Sequence, residues 1–233
     1  MSAQAIIDST LRLRKKLAHL QFSPPVAWVY RPLEYAWQPH RQYLERYGKG
    51  KKSVLFLGMN PGPFGMAQSG IPFGEIAAVR DWMKIEASVD KPANEHPKRP
   101  IDGFGCQRSE VSGRRLWGLF ANRFPAAENF FQNHFVLNFC PLVWMSESGA
   151  NLTPDKLPSS EMAPVEEACL LHLSEVIDAM RPKFLVGIGA FAEMRLTRAL
   201  ALSGHRGIVG RILHPSPASP AATRGWAEAA SRP

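Results

Sequence analysis

Residues 53 to 65 read Ser-Val-Leu-Phe-Leu-Gly-Met-Asn-Pro-Gly-Pro-Phe-Gly. The apolar run Val54-Leu55-Phe56-Leu57 is short, unbroken and preceded by the polar break Gly48-Lys49-Gly50-Lys51-Lys52, which is the pattern of a strand buried on both faces. Such strands belong to sheets covered by helices on either side. Three further runs have the same character: His134 to Phe139, Phe184 to Ile188 and Ile208 to Leu213. Between them lie helical patterns at Glu75 to Ile85, Ser112 to Phe124, Val165 to Met180, Ala190 to Leu202 and, at the end, about Ala221 to Ala230. Alternation of this kind predicts an α/β fold: one domain over residues 1–233, three layers α/β/α, with a central four-stranded, mostly parallel sheet. Ile6 to Leu20 and Arg41 to Tyr47 add helices before the first strand, and Pro24-Pro25 closes the first of them, so residues 1–30 are expected to form a helical extension packed on the domain. Residues 86–111 and 140–163 lack periodicity and are expected to be long ordered loops, a length that in a compact domain is often functional.

Composition limits the classes of function. The 233 residues carry 28 Lys and Arg against 20 Asp and Glu, a formal charge of +8 that favours a polyanionic partner such as nucleic acid. Arginines cluster late in the chain, six of them with one glutamate over residues 195–233, and residues 91–115 hold six Lys and Arg against three acids. The Lys49-Lys51-Lys52 run reads as a solvated segment. The longest apolar and glycine stretch, Phe184 to Ala192, is nine residues, less than half a membrane span, and Arg12, Arg14, Lys15 and Lys16 interrupt any secretory core. An intracellular protein without a membrane anchor, monomeric by default, is the expectation. Cys106, Cys140 and Cys169 form no Cys-x-x-Cys pair and are expected to be buried thiols, and the seven histidines show no ligand spacing, so no metal is expected.

In an open α/β sheet the chemistry sits beyond the carboxyl ends of the strands, which here deliver Asn60, Asn138, Gly189 and His214. The loop after Leu57 lacks the Gly-Lys-Ser/Thr and G-x-G-x-x-G spacings of phosphate cradles, its two prolines remove amide donors, and no G-x-S-x-G elbow occurs. What remains is a stiff loop displaying one uncharged amide. An asparagine can hold a water but cannot act as a strong base, so the electrophile must already be cationic in character, as a glycosidic carbon is in an oxocarbenium-like state. Across from it, a donor at His214 could stabilise a departing base anion.

Gly58-Met59-Asn60-Pro61-Gly62-Pro63-Phe64-Gly65-Met66, Ile71-Pro72-Phe73-Gly74, Asn138-Phe139-Cys140-Pro141-Leu142 and His214-Pro215-Ser216-Pro217 occur in this order and together resemble the single-strand-selective monofunctional uracil-DNA glycosylases, a branch of the uracil-DNA glycosylase superfamily. The resemblance runs from about Pro32 to Trp226 and includes Ser112-Gly113-Arg114-Arg115-Leu116-Trp117 at the start of a helix. It implies a uracil-DNA glycosylase-like fold, DNA as partner with single strands preferred and duplex accepted, no cofactor and no metal. It assigns the hydrolytic water to Asn60 and the leaving uracil to His214, base stacking to Phe73, and base-edge reading to Asn138, with Met59, Pro61, Gly62 and Met66 completing the substrate pocket. Room near Gly62 and Met66 would admit 5-hydroxymethyluracil. DNA contacts would fall on Arg114, Pro215, Ser216, Pro217, Ala218 and Ser219. Where the family pattern continues Arg-Asn-Pro, this chain has Ala218-Ser219-Pro220, a smaller wedge that favours single strands. Two other outcomes fit the same motifs: a glycosylase shifted to other deaminated bases, and a DNA-binding protein without hydrolysis.

Overall fold

The computed structural model describes residues 3–216 and 225–231. In chain order the elements are α1 (Gln4–Leu17), β1 (Trp28–Tyr30), α2 (Pro32–Tyr35), α3 (Trp37–Tyr47), β2 (Val54–Gly58), α4 (Met66–Ser69), a π-helical turn (Ala78–Trp82), α5 (Val111–Arg123), α6 (Ala127–Asn133), β3 (His134–Asn138), β4 (Val143–Met145), β5 (Asn151–Leu152), α7 (Ser159–Met180), β6 (Phe184–Ile188), α8 (Ala190–Leu202), β7 (Ile208–Ile212) and α9 (Trp226–Ser231). The main sheet has the order β3-β2-β6-β7 and every pairing in it is parallel. The expected strands are thus the strands of the sheet, their ends shifted by one residue where a glycine or a motif residue joins the ladder. Gly58 pairs with Asn138, so the two motif loops leave the sheet side by side.

The strand β2 is apolar throughout because it lies between β3 and β6 with helices on both faces. Leu55, Leu57, Phe135 and Leu185 are fully buried, and burying a side chain of this size is worth about 1.5–3 kcal/mol. One face is covered by an aromatic cluster in which Trp117 and Phe120 of α5 meet Phe130 and Phe131 of α6, Phe120 and Phe130 with centroids 4.4 Å apart. On the other side α1 packs along α7, pinned by a hydrogen bond of 2.7 Å between Ser9 Oγ and His172 Nδ1.

Several expectations need correction. Residues 140–163 are not one loop: β4 and β5 join β1 in a second, antiparallel three-stranded sheet, with Tyr30 opposite Val143, and α7 starts six residues before Val165 with Pro164 inside it. Strands of two and three residues are too short to show a period. The helix expected over Glu75 to Ile85 is cut to a wide turn, because the Met83 amide bonds back to Ala78 and the Ile85 amide to Val79, after which Lys84 takes a left-handed φ of 54°. Lys52 is not solvated. It is 5% exposed, and its ammonium donates to the Phe131 carbonyl. Cys140 and Cys169 are buried, whereas Cys106 is partly exposed on the loop before α5. No helix among the described residues is long and apolar enough to cross a membrane.

Candidate active site

The carboxyl ends of β2, β3 and β7 open into a cavity of about 210 Å³ lined by Asn60, Phe73, Asn138 and His214 together with Met59, Pro61, Gly62, Glu110, Ser112, Asn151, Thr153 and Ser216. A wider groove of about 570 Å³ lies between α7 and α8. There Arg198 is bound to Glu166, and convergent polar groups of the first kind are missing among its lining residues.

Gly58 explains why the site forms at the end of β2. A β-carbon there would stand 2.4 Å from Asn138 Oδ1 and 2.5 Å from Phe73 Cε2, so the strand ends on a residue without a side chain where two site residues converge. Phe73 adopts φ 53°, a conformation that costs a residue with a β-carbon of order 1–3 kcal/mol. Its carbonyl is held by the Trp117 indole N–H at 2.9 Å and by the Glu75 amide at 2.7 Å, which fix the ring at the cavity wall 6.3 Å from the His214 ring.

Asn60 donates through Nδ2 to the carbonyls of Leu142 at 3.4 Å and Pro61 at 3.5 Å. These bonds orient the amide so that Oδ1 is its acceptor side, and Oδ1 is buried without a hydrogen-bond partner. His214 Nδ1 accepts the Ser216 N–H at 3.1 Å, so a neutral ring carries its proton on Nε2. Burial holds its pKa below the ordinary 6.5, which keeps the ring neutral and Nε2 a donor. Arg115 donates to the Pro215 carbonyl at 2.9 Å and braces the same loop from α5.

Not every expected residue reaches the cavity. Met66 stands behind the wall: its sulfur receives Asn138 Nδ2 at 3.5 Å and steadies that amide. Met66 is thus not among the residues that line the cavity. Pro215 is buried, with its carbonyl taken by Arg115, and Arg114 is exposed with its guanidinium toward Ser109 Oγ at 3.4 Å. Pro217, Ala218 and Ser219 lie outside the described residues. Of the late arginines, Arg195 and Arg198 are engaged with Glu166 and Arg211 with Glu193, Arg206 is exposed, and Arg224 and Arg232 lie outside the described residues. Basic groups of the 91–115 segment lie against the loop that carries Asn60: Arg108 is over the Phe64 ring at 4.1 Å and Arg99 at 5.6 Å.

The sequence reading missed Glu110, Ser112, Asn151 and Thr153. Ser112 opens the motif Ser112-Gly113-Arg114-Arg115-Leu116-Trp117, and Glu110, an acid two residues before it, was the available signal. Asn151 and Thr153 depend on β5, which leaves no periodic trace.

A family model for the uracil DNA glycosylase superfamily matches residues 45–230. The chain belongs to that superfamily. It is 48% identical over 228 residues to the single-strand selective monofunctional uracil-DNA glycosylase of Rattus norvegicus, a match covering 98% of this chain and 82% of that protein. To the Mus musculus protein of the same description it is 47% identical over 230 residues, covering 99% and 82%. These similarities place it in the single-strand-selective monofunctional branch. The fold agrees with the crystal structure of wild-type Pedobacter heparinus SMUG2, at a TM-score of 0.64 and 20% identity, over 90% of this chain and 87% of that one. The family resemblance carried by the four motifs is thereby established over nearly the whole length.

Proposed function

We propose that this chain excises uracil from DNA by hydrolysing its N-glycosidic bond, leaving an abasic site. The observation that carries the reading is the convergence on one cavity of an unpartnered amide oxygen, Asn60 Oδ1, and a neutral imidazole whose proton resides on Nε2. The base must leave the stack to reach such a cavity, which costs a few kcal/mol in duplex and less in a single strand. Phe73 then offers its ring to the flipped base, a contact worth about 1–3 kcal/mol. Asn138 accepts from uracil N3–H and donates to O4, while cytosine presents an unprotonated N3 and an amino donor to the same amide. Each resulting mismatch costs about 1–3 kcal/mol.

As the bond from C1′ to the base lengthens, positive charge gathers on the sugar and negative charge on the base. His214 Nε2–H stabilises the anion at O2. The water held by Asn60 adds to C1′ as the electron pair of the C1′–N1 bond passes to the base nitrogen, and its proton passes to solvent, leaving the sugar hydroxyl and the uracil anion. No lysine lines the cavity among the described residues, which supports a monofunctional enzyme without a Schiff-base lyase step. Gly62 lines the cavity without a side chain of its own, which supports acceptance of 5-hydroxymethyluracil. Ala218-Ser219-Pro220 in the wedge segment supports a single-strand preference, and action as an intracellular monomer on DNA completes the reading.

The test is a labelled single-stranded oligonucleotide with one deoxyuridine, incubated in chelator and divided between hot alkali and buffer. Breakage only after alkali, absent with thymidine, is the expected result. Breakage without alkali would contradict the monofunctional assignment. Intact DNA in both portions, with the protein still retarding it in a gel, would reject uracil as the substrate.

A further inference from the structure

Glu110 lines the cavity, yet the reaction above gives it no task. It occupies the N-cap position of α5, where a side-chain oxygen ordinarily takes an amide of its own helix, but it makes no such bond. Its carboxyl turns under the loop that follows β2 and accepts the Gly62 N–H. Three glycines make room for it. A β-carbon on Gly65 would lie 2.1 Å from Oε2, one on Gly113 2.9 Å from Oε2, and one on Gly62 3.0 Å from Oε1. Oε2 is buried and has no hydrogen-bond partner. The fold thus builds a close-fitting cradle, from the catalytic loop on one side and the start of α5 on the other, around one carboxyl group that no local helix-capping role explains.

We propose that Glu110 is the positioning residue of the catalytic loop: its carboxylate clamps Gly62 to Gly65 against α5, so that Asn60 presents its water, and the ionised form is the active one. The proposal rests on the glycosylase reading. A carboxylate accepts the Gly62 amide more strongly than the neutral acid does. Its charge also lies on the side of the cavity where the water loses a proton and the sugar becomes cationic. The charged and titratable groups around it are few. Glu75 faces it from the turn after Ile71, with its own carboxylate taken by the Ala78 amide at 3.0 Å. On α5, Arg114 and Arg115 are directed to Ser109 and to the Pro215 carbonyl, and His214 faces the cavity from the end of β7. The catalytic loop and α4 carry no titratable side chain. Burial above all, then the like charge of Glu75, push the Glu110 carboxyl up to about 7, against the lowering effect of the Gly62 amide. Burial lowers the His214 pKa from its ordinary 6.5, a titration common to the parent and to a variant at Glu110.

Single-turnover release of uracil is expected to rise about tenfold between about pH 6 and about pH 8, with its midpoint near 7. Glu110→Gln fills the same cradle without a charge: its rate should stay flat across this window near the low-pH rate of the parent, with affinity for the oligonucleotide unchanged. Glu110→Asp should retain the inflection at a lower rate. At about pH 8 the Gln variant should also melt at a higher temperature than the parent, because a buried ionised carboxylate is removed. A Gln variant that keeps the parent's pH profile, or whose deficit is matched by lost DNA affinity, would overturn the proposal. Should the parent release no uracil at any pH, the substrate reading fails instead. The melting comparison then still tests the clamp, and equal melting temperatures at about pH 8 would overturn it.

Discussion

The two ends of the main sheet are built from similar residues and behave in opposite ways. At the amino ends several polar groups are spoken for: the Lys52 ammonium and amide reach the carbonyls of Phe131 and Met180, the Ser53 amide that of Asn133, and His134 Nδ1 that of Phe130 at 2.8 Å. At the carboxyl ends Asn60 Oδ1 and Glu110 Oε2 are buried without partners, Phe73 is held at φ 53°, and Asn138 touches only a thioether through its amide nitrogen. Unsatisfied groups and strain each cost stability, and although others occur elsewhere, as at His205 Nδ1 before β7 and Arg181 (φ 53°) before β6, those at the carboxyl ends share one cavity, which is where the fold has kept groups free to meet a ligand.

The largest expected effect breaks the carboxyl end alone. Asn60→Ala and His214→Ala should each lower the single-turnover rate by about 10²–10³-fold, the loss typical of one positioned hydrogen-bonding group, while DNA binding measured by fluorescence anisotropy persists. Either variant retaining near-parent turnover would remove the corresponding role.

The amino end should answer in stability and not in rate. Burial lowers the Lys52 pKa from 10.5 to about 8. Between those values the unfolded chain binds more protons than the folded one, so this group's penalty is full below pH 8 and relieved as pH rises toward 10.5. Chemical denaturation of the parent should therefore gain up to about 3 kcal/mol from this residue across that interval, a gain absent in Lys52→Met. Uracil release by Lys52→Met should match the parent. A lowered rate at unchanged stability would dissolve the distinction between the two ends.

What could be read in advance follows the same division. The four strands announced themselves because each is a short, mainly apolar run, and Asn60, Asn138 and His214 were legible because they end or follow such runs, Phe73 because it lies in a stiff motif. Lys52 was misread because its partner, Phe131, lies 79 residues away on α6 and nothing local distinguishes it from the solvated Lys51. Glu110 escaped for a related reason: its cradle is assembled from Gly62, Gly65 and Gly113, on segments whose proximity exists only in the folded chain. The second sheet escaped because Trp28–Tyr30, Val143–Met145 and Asn151–Leu152 are too short to carry a period. Local pattern exposes elements and strand-end motifs, whereas long-range satisfaction of polar groups must be seen in three dimensions.

The smallest expected effect concerns how the DNA strand approaches the carboxyl end. Net charge pointed equally to the late arginines and to the segment before α5, but the structure separates them. Arg195, Arg198 and Arg211 are bound to Glu166 and Glu193, while Arg108 and Arg99 lie over Phe64, whose loop also carries Asn60. An aromatic ring flanked by guanidinium groups on the loop that carries Asn60 suits a single strand, one base stacking while its phosphates are neutralised. Arg108→Ala should therefore reduce the slope of log affinity against log salt by about 0.7, the contribution of one phosphate on a single strand. Arg198→Ala should leave that slope unchanged, because its charge is already balanced by Glu166. The reverse result would place the strand along the groove between α7 and α8, and the free polar groups at the carboxyl end would then need a ligand other than the flipped base.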